Sequence, residues 1–495
     1  MHNDSLPFSK TSLSHSWIAG LAAASVAIIG CGGSEGAEPA EAQQRIQATV
    51  PAMNSAFTSA SDRWADDQNL SALTGSLDTM GASFERLFPG YTSSDGEDVV
   101  VASLAGLVPD GHLDGEEADF GAEIEALAEL IFTEENYEGG GVYRFPASQA
   151  CEVDGAVDPD CVSQFEQLEL RVRAIVAEDG LDITFLIGPD RAAPFGFELR
   201  SRRASLVVDL GDVKDAIVSL AESQGEAVTG LPTVMEGVIA LSVLAPSDTE
   251  AEVQASVRRA IRFQTDAAAT GIDMSMDIEA RDPMYSVLLG EDRMTMTVDV
   301  GRTRIVGPWD SFSDEGFDLG TLDIDWQGLS YQIEVEAGQD RLAINDISLG
   351  DGTSAVKLDG ATLLSVDLNR DSGRSFDLEL TFAEDGSPRM NFAPGVDLQV
   401  SYDLQSLVDG GVAIDSPLAK TSYSLSVRGA NPSLAPVEPD ALGLFPGGVR
   451  VVSGEIAVSA DGEELVVAEG RCLIETIPAI DAHPLMGALA AVDCP

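Results

Sequence analysis

Four side chains near the middle of the chain have the types and spacing to hold a hard cation: Asp367, Asn369 and Asp371 alternate along one stretch, and Asp377 follows. A hairpin over Val366 to Phe382, with Leu368 facing Phe376 and Val366 facing Leu378, puts both apolar sets on one side. Asp371-Ser372-Gly373 is then its loop, with glycine at the left-handed position. That register sets Asp367 across from Asp377, with Asn369 on the same polar face and Asp371 nearby. Like charges directly opposite repel. Either water and salt absorb that penalty, or a low-affinity calcium ion with oxygen ligands bridges the carboxylates.

Other chemistry is sparsely signposted. Asp110, His112, Asp114 and Gly115 resemble the front of a calcium loop of the EF-hand type. The back of that loop is missing, because Gly121 replaces the bidentate glutamate and Glu117 stands where an aliphatic residue packs, so a solvated acidic turn is expected. No G-x-S-x-G, H-E-x-x-H or G-x-x-x-x-G-K motif occurs. Gly139-Gly140-Gly141 precedes a strand pattern and reads as a turn. Beyond residue 30 the only histidines are His112 and His483, so no Cys/His zinc centre is expected, and a triad around either carries no spacing signature. Carboxylate pairs arise by chance in so acidic a chain. Binding rather than catalysis is therefore expected, with a hydrolase as the outlying reading and no cofactor beyond the calcium ion considered above.

The five cysteines bear on address and redox state. Trp17 to Ile29 is apolar, long enough for the core of a signal peptide and too short to span a bilayer. It runs into Ile28-Ile29-Gly30-Cys31, followed by Gly32-Gly33-Ser34-Glu35. This pattern resembles the lipobox of bacterial lipoproteins. The resemblance covers residues 1–34 and implies cleavage before Cys31, a diacylglycerol on its thiol and anchoring to a membrane. Gly32 in place of an aspartate implies that outer-membrane delivery is permitted, with the protein facing the periplasm or the surface. Lipidation leaves Cys151 near Cys161 and Cys472 near Cys494. Four cysteines allow three connectivities, of which the local pairing is preferred. Such disulfides imply an oxidising compartment and contribute about 2–4 kcal/mol each.

A formal charge of −55 sets the chain against nucleic acid and bare anionic lipid surfaces. Only Lys10, Lys214, Lys357 and Lys420 are lysine, a balance that a salt-adapted or GC-rich host explains without a ligand. With 44% hydrophobic residues the chain still buries a large core, while 6% aromatic content disfavours sugar stacking.

The elements that must position these residues follow from periodicity. Residues 1–30 read as a signal peptide, 31–44 as a flexible tether, 45–142 as an acidic helical region, 143–430 as an antiparallel β domain and 431–495 as a C-terminal β/helix unit. Helical spacing covers Arg45 to Leu87 and Ala118 to Phe132, Asp212 is placed to cap a helix to Glu222, and Pro484 to Val492 is expected as a last helix. From Tyr143 onward apolar and polar residues alternate, as in Met294-Thr295-Met296-Thr297-Val298, and Tyr331 to Val335, Phe376 to Phe382 and Tyr423 to Val427 continue the pattern. Glu178-Asp179-Gly180, Gly350-Asp351-Gly352, Asp371-Ser372-Gly373, Glu384-Asp385-Gly386 and Asp461-Gly462 read as hairpin turns. Pro432 to Pro446 reads as a surface connection. The expected class is α+β, predominantly antiparallel β: a helical N-terminal region, then a large curved sheet, open barrel or sandwich. Its apolar face exceeds the helix available to cover it. The expectation is a lipid-anchored cell-envelope protein that binds an apolar small molecule or lipid; the alternative is a structural or surface-interaction lipoprotein stabilised by divalent cations.

Overall fold

A computed structural model describes residues 36–66, 120–153, 156–157, 159–223, 228, 230–270, 272–290, 292–308, 320–336, 341–350, 352–368, 375–382, 388–394, 396–402, 422–437, 448–460, 463–477 and 488–494. Cys31, His112, His483, Asn369 and Asp371 lie outside them, as does the side chain of Cys161. Antiparallel strand dominates, as the alternation implies. The chain divides into two compact units: Met1–Ser55, Ala118–Val228 and Ile239–Ser242 form the first, and Ala56–Glu117, Thr229–Val238 and Val243–Pro495 the second. The expected cuts at 142/143 and 430/431 each fall inside a strand, Val142–Arg144 and Ser422–Pro436.

In the first unit β1 (Tyr137–Gly139), β2 (Val142–Arg144), β5 (Arg171–Ala177), β6 (Gly180–Ile187), β7 (Ala192–Arg200) and β8 (Arg203–Asp209) pair in that order, all antiparallel. The short β3 (Glu152–Val153) and β4 (Ala156–Val157) pair with each other. Helix Leu210–Ser223 packs on β7, and its first-turn N–H groups at Gly211 and Asp212 donate to Asp209 Oδ1 at 3.0 and 3.4 Å. Asp209, not Asp212, is thus the capping carboxylate. Helix Phe120–Ile131 matches its periodicity. Helix Pro39–Asp66 buries Ala42, Ile46, Val50 and Met53, the spacing of one helical face. The expected tether is therefore corrected from Gly36 onward. Ala37 N donates to Ala174 O at 3.0 Å, the Tyr143 hydroxyl donates to Ala37 O at 2.8 Å, and Ala37 is fully buried. Small residues that look linker-like in composition allow this close approach.

The second unit is a meander of long strands, most of them interrupted once. β9 (Val234–Ser247) pairs with β10 (Glu250–Gln264). β10 in turn pairs with β11 (Ser275–Ile278) through Ile261↔Ile278 and with β12 (Arg281–Leu289) through Val253↔Val287, so β11 and β12 are two halves of one line. The five lines that follow it are divided in the same way. They are β13 (Arg293–Val300) with β14 (Thr303–Pro308), β15 (Thr321–Trp326) with β16 (Leu329–Glu336), and β17 (Arg341–Leu349) with β18 (Ser354–Leu358). β19 (Ala361–Leu368) with β20 (Ser375–Phe382) and β21 (Pro388–Phe392) with β22 (Val396–Tyr402) complete them. β23 (Ser422–Pro436) carries both halves in one strand, pairing with β22 through Val396↔Val427 and with β21 through Met390↔Leu434. β24 (Val449–Ala460) lies between β23 and the divided line of β25 (Glu463–Ala468) and β26 (Arg471–Ile477). β27 (Ala488–Asp493) ends the order on β26, and among the described residues no pairing links it back to β9.

Several expectations are corrected here. Gly350-Asp351-Gly352 and Asp371-Ser372-Gly373 do not close hairpins; they fall in the breaks between β17 and β18 and between β19 and β20. Glu178-Asp179-Gly180 does join paired strands, β5 and β6. Glycine and aspartate accept left-handed backbone, which a turn and a strand break both require, so composition alone does not separate the two. The helix expected over Pro484 to Val492 is β27 from Ala488 on. Its alanines favour helix, but pairing with β26 and the disulfide from Cys472 to Cys494, with Cα atoms 5.0 Å apart, override that preference. β23 continues through Pro432 to Pro436, inside the stretch expected as a surface connection.

The breaks keep the apolar residues on one side. On β13 the core-facing set is Met294, Met296 and Val298, all even-numbered, whereas on β14 it includes the odd-numbered Ile305. On β16 it is Ile333 and Val335, and on β15 Leu322 and Ile324. A strand of strict period two puts such sets on opposite faces, and an odd interruption brings them back together. In β23 and β24 the outcome is direct: Val427 with Leu434, and Ile456 with Val451, belong to one buried cluster although a register shift separates them. Gly328, in the break between β15 and β16, has φ +114°, and a Cβ there would lie 2.9 Å from Val300 O. Only glycine meets both conditions without strain.

Candidate functional site: an apolar face with two tyrosines

Cross-strand pairing assembles the apolar residues of the second unit into rows that run across the strands. One row is Leu289, Met294, Val335, Leu342, Leu380, Met390, Leu434 and Val451, each paired with the next and each buried. Nearer the breaks lies the row Tyr285, Val298 and Tyr331, on the same face and only half-buried. Beyond the breaks Met276, Ile305, Ile324, Val356 and Leu364 form another half-buried row. Leu364 packs on the main core cluster, which places this row on the face that the core uses. Among the described residues none from β11, β14, β15 or β18 belongs to that cluster, whereas β19 and β22 through β26 contribute on both sides of their breaks.

Two phenols stand in this apolar surface, as do Thr303 and Trp326, which pair with each other on the face of Ile305 and Ile324. Among the described residues the Tyr285 hydroxyl donates only to Met296 Sδ, at 3.3 Å, and the Tyr331 hydroxyl makes no hydrogen bond. Burial pushes both phenols above their ordinary pKa, and the neighbouring Tyr331 adds to the effect at Tyr285. Both are therefore neutral donors at physiological pH. Buried tyrosine hydroxyls ordinarily find a partner. Nothing local in the sequence marks these two residues, because a tyrosine in an alternating strand is an ordinary β former and the rows around the phenols exist only through cross-strand pairing.

The opposite face is charged and well paired. Arg302 and Arg304 reach Asp325 and Asp323 at 2.7 and 2.9 Å, and these guanidinium groups hold both carboxyls below the usual carboxylate range. At the breaks a cleft of about 360 Å³ is lined by Arg281, Asp299, Gln327, Ser330 and Ser348, with Gly328 and Gly350 between them. Arg281 is engaged by Glu279 at 2.9 Å and Asp299 at 3.2 Å, so the cleft presents no uncompensated cation.

The register that motivated a calcium site is not formed. Asp367 pairs with Gln399 on β22, and Asp377 sits on β20, where its Oδ1 accepts a hydrogen bond from Asp346 N at 2.9 Å. β19 and β20 are consecutive halves of one line rather than hairpin partners, so the two carboxylates are not a directly opposed pair. Cys472 and Cys494 form a disulfide; Cys151 is disulfide-bonded as well. No family model, curated protein or solved structure matches this chain.

Proposed function

We propose that the chain is a lipid-anchored cell-envelope protein that binds an apolar ligand without catalysis, and that the ligand lies on the half-buried rows across β11 to β18. One observation carries this reading. Apolar side chains of the same kinds are buried in a shared cluster across β12, β13, β16, β17 and β19–β26, whereas Met276, Ile305, Ile324 and Val356 on β11, β14, β15 and β18, with Tyr285, Val298 and Tyr331 beside the breaks, are only half-buried. Apolar area left in partial contact with water is the reservoir of binding free energy for an apolar ligand, roughly 25 cal/mol per Å² removed from water. The lipobox pattern at Cys31 and the disulfides support an envelope address, with the outer membrane as the anchor and the body facing the periplasm or the surface. The formal charge of −55 argues against nucleic acid as a partner.

The test is native mass spectrometry and solvent extraction of the full chain purified from its own envelope, with binding of the neutral dye N-phenyl-1-naphthylamine measured in parallel. Co-purifying lipid and saturable dye binding are expected. A chain that carries no lipid and takes up no dye would refute the reading.

A further inference from the structure

The ligand's polar end is specified by the two phenols. Tyr285 and Tyr331 flank Val298 on one row, their side chains on one face, and among the described residues a thioether is the only hydrogen-bond partner between them. From Met276 to Leu364 the row is aliphatic or methionine, so a ligand lying along it meets hydrogen-bonding side chains toward the breaks, where the two phenols and the Thr303–Trp326 pair stand on the same face. Both phenols are donors in search of an acceptor. The chemistry that surrounds them selects against charge on that acceptor. Arg281, on the same strand as Tyr285, is already held by Glu279 and Asp299, and the chain as a whole carries −55. A carboxylate or phosphate brought onto this face would lose its water without gaining a cation.

We infer that the site takes a neutral amphiphile: an acyl chain laid across the strands along the Met276–Ile305–Ile324–Val356 and Val298 rows, with an uncharged ester carbonyl accepting hydrogen bonds from the Tyr285 and Tyr331 hydroxyls. The inference rests on the proposed function and narrows it from any apolar ligand to acyl esters with uncharged head groups. Phenols kept protonated by burial remain donors across the physiological range.

The experiment is a displacement titration on the full chain, with N-phenyl-1-naphthylamine as reporter and methyl palmitate, hexadecane and palmitate as competitors delivered in the same carrier. In the wild type methyl palmitate should compete best. The double variant Tyr285→Phe, Tyr331→Phe keeps both rings and should weaken methyl palmitate about tenfold, the order expected for two neutral hydrogen bonds, while hexadecane competes as before. Unchanged hexadecane competition also shows that the variant is folded at the site. Equal methyl palmitate affinity in wild type and variant would overturn the head-group assignment and leave the apolar-ligand reading standing, as would palmitate outcompeting its ester. A wild type that binds no dye removes both.

Discussion

The two ends of the second unit are built from the same parts and differ in what covers them. Toward β22–β26, residues from both sides of the strand breaks share one cluster, and Leu434, Val451 and Ile456 are at most 1% exposed. Toward β11–β18, rows of equal apolar character leave Ile305, Ile324, Val298 and Tyr331 half-buried. Residue type therefore does not distinguish a structural core from a candidate binding face here; the packing of one half-strand upon another does. Toward β22–β26 the rows on both sides of the break join one core, whereas for β12, β13, β16 and β17 only rows on their own side of the break belong to it among the described residues.

The strongest way to break this comparison is to truncate one side chain at each end. Leu434→Ala should cost about 3–4 kcal/mol, whereas Ile324→Ala should cost about 1 kcal/mol because less area and less packing are lost. Urea midpoints measure both, and similar losses would show that the two ends are equally buried. Next in size is the Cys472–Cys494 disulfide at the filled end, which closes a loop over a sequence separation of 22. Its removal as a double serine variant should cost about 3 kcal/mol and leave dye binding at the other end intact. Loss of both together would mean that the ends are a single cooperative element.

Gly328→Ala sharpens the role of the breaks. With φ +114° and Val300 O in the path of a Cβ, it should destabilise by about 2 kcal/mol, while Gly360→Ala, at φ +83° with open space around it, should cost about 1 kcal/mol. Thermal melts of the pair suffice, and the reverse order would contradict the close approach at the break. The smallest effect concerns alkali. Tyr285 and Tyr331 have folded-state pKa values raised above the unfolded value of about 10, so their contribution is intact below that pH and is lost as pH rises through the folded values. Replacing both by phenylalanine should flatten the decline in urea midpoint above about pH 10; an unaltered slope would mean that the phenols are not desolvated.

The sequence carried the strand content well, because alternation such as Met294 to Val298 is a direct image of a half-buried strand. Helices Phe120–Ile131 and Leu210–Ser223 were equally legible from their apolar spacing. Topology was not. The signals at Gly350 to Gly352 and Asp371 to Gly373 use the residues of a hairpin turn, and only long-range pairing, such as Asp367 with Gln399, reveals that the strand resumes beyond them. The site was hidden for a related reason. Tyr285 and Tyr331 are separated by a whole strand and come to one row only through Val298, a relation that no local window contains.

The odd-numbered interruptions, such as those between β13 and β14 and between β15 and β16, give this chain an uneven tolerance to insertions and deletions. Loss of one residue from the connection between β16 and β17, residues 337–340, changes the length of a link and leaves both apolar sets where they are. Loss of Gly328 restores uninterrupted alternation between β15 and β16, and everything on one side of the break is turned inside out. Single-residue length changes should therefore be tolerated at the strand tips and lethal to folding at the break between β15 and β16. The map of permitted lengths across a population of variants would trace the fold without any structure being solved.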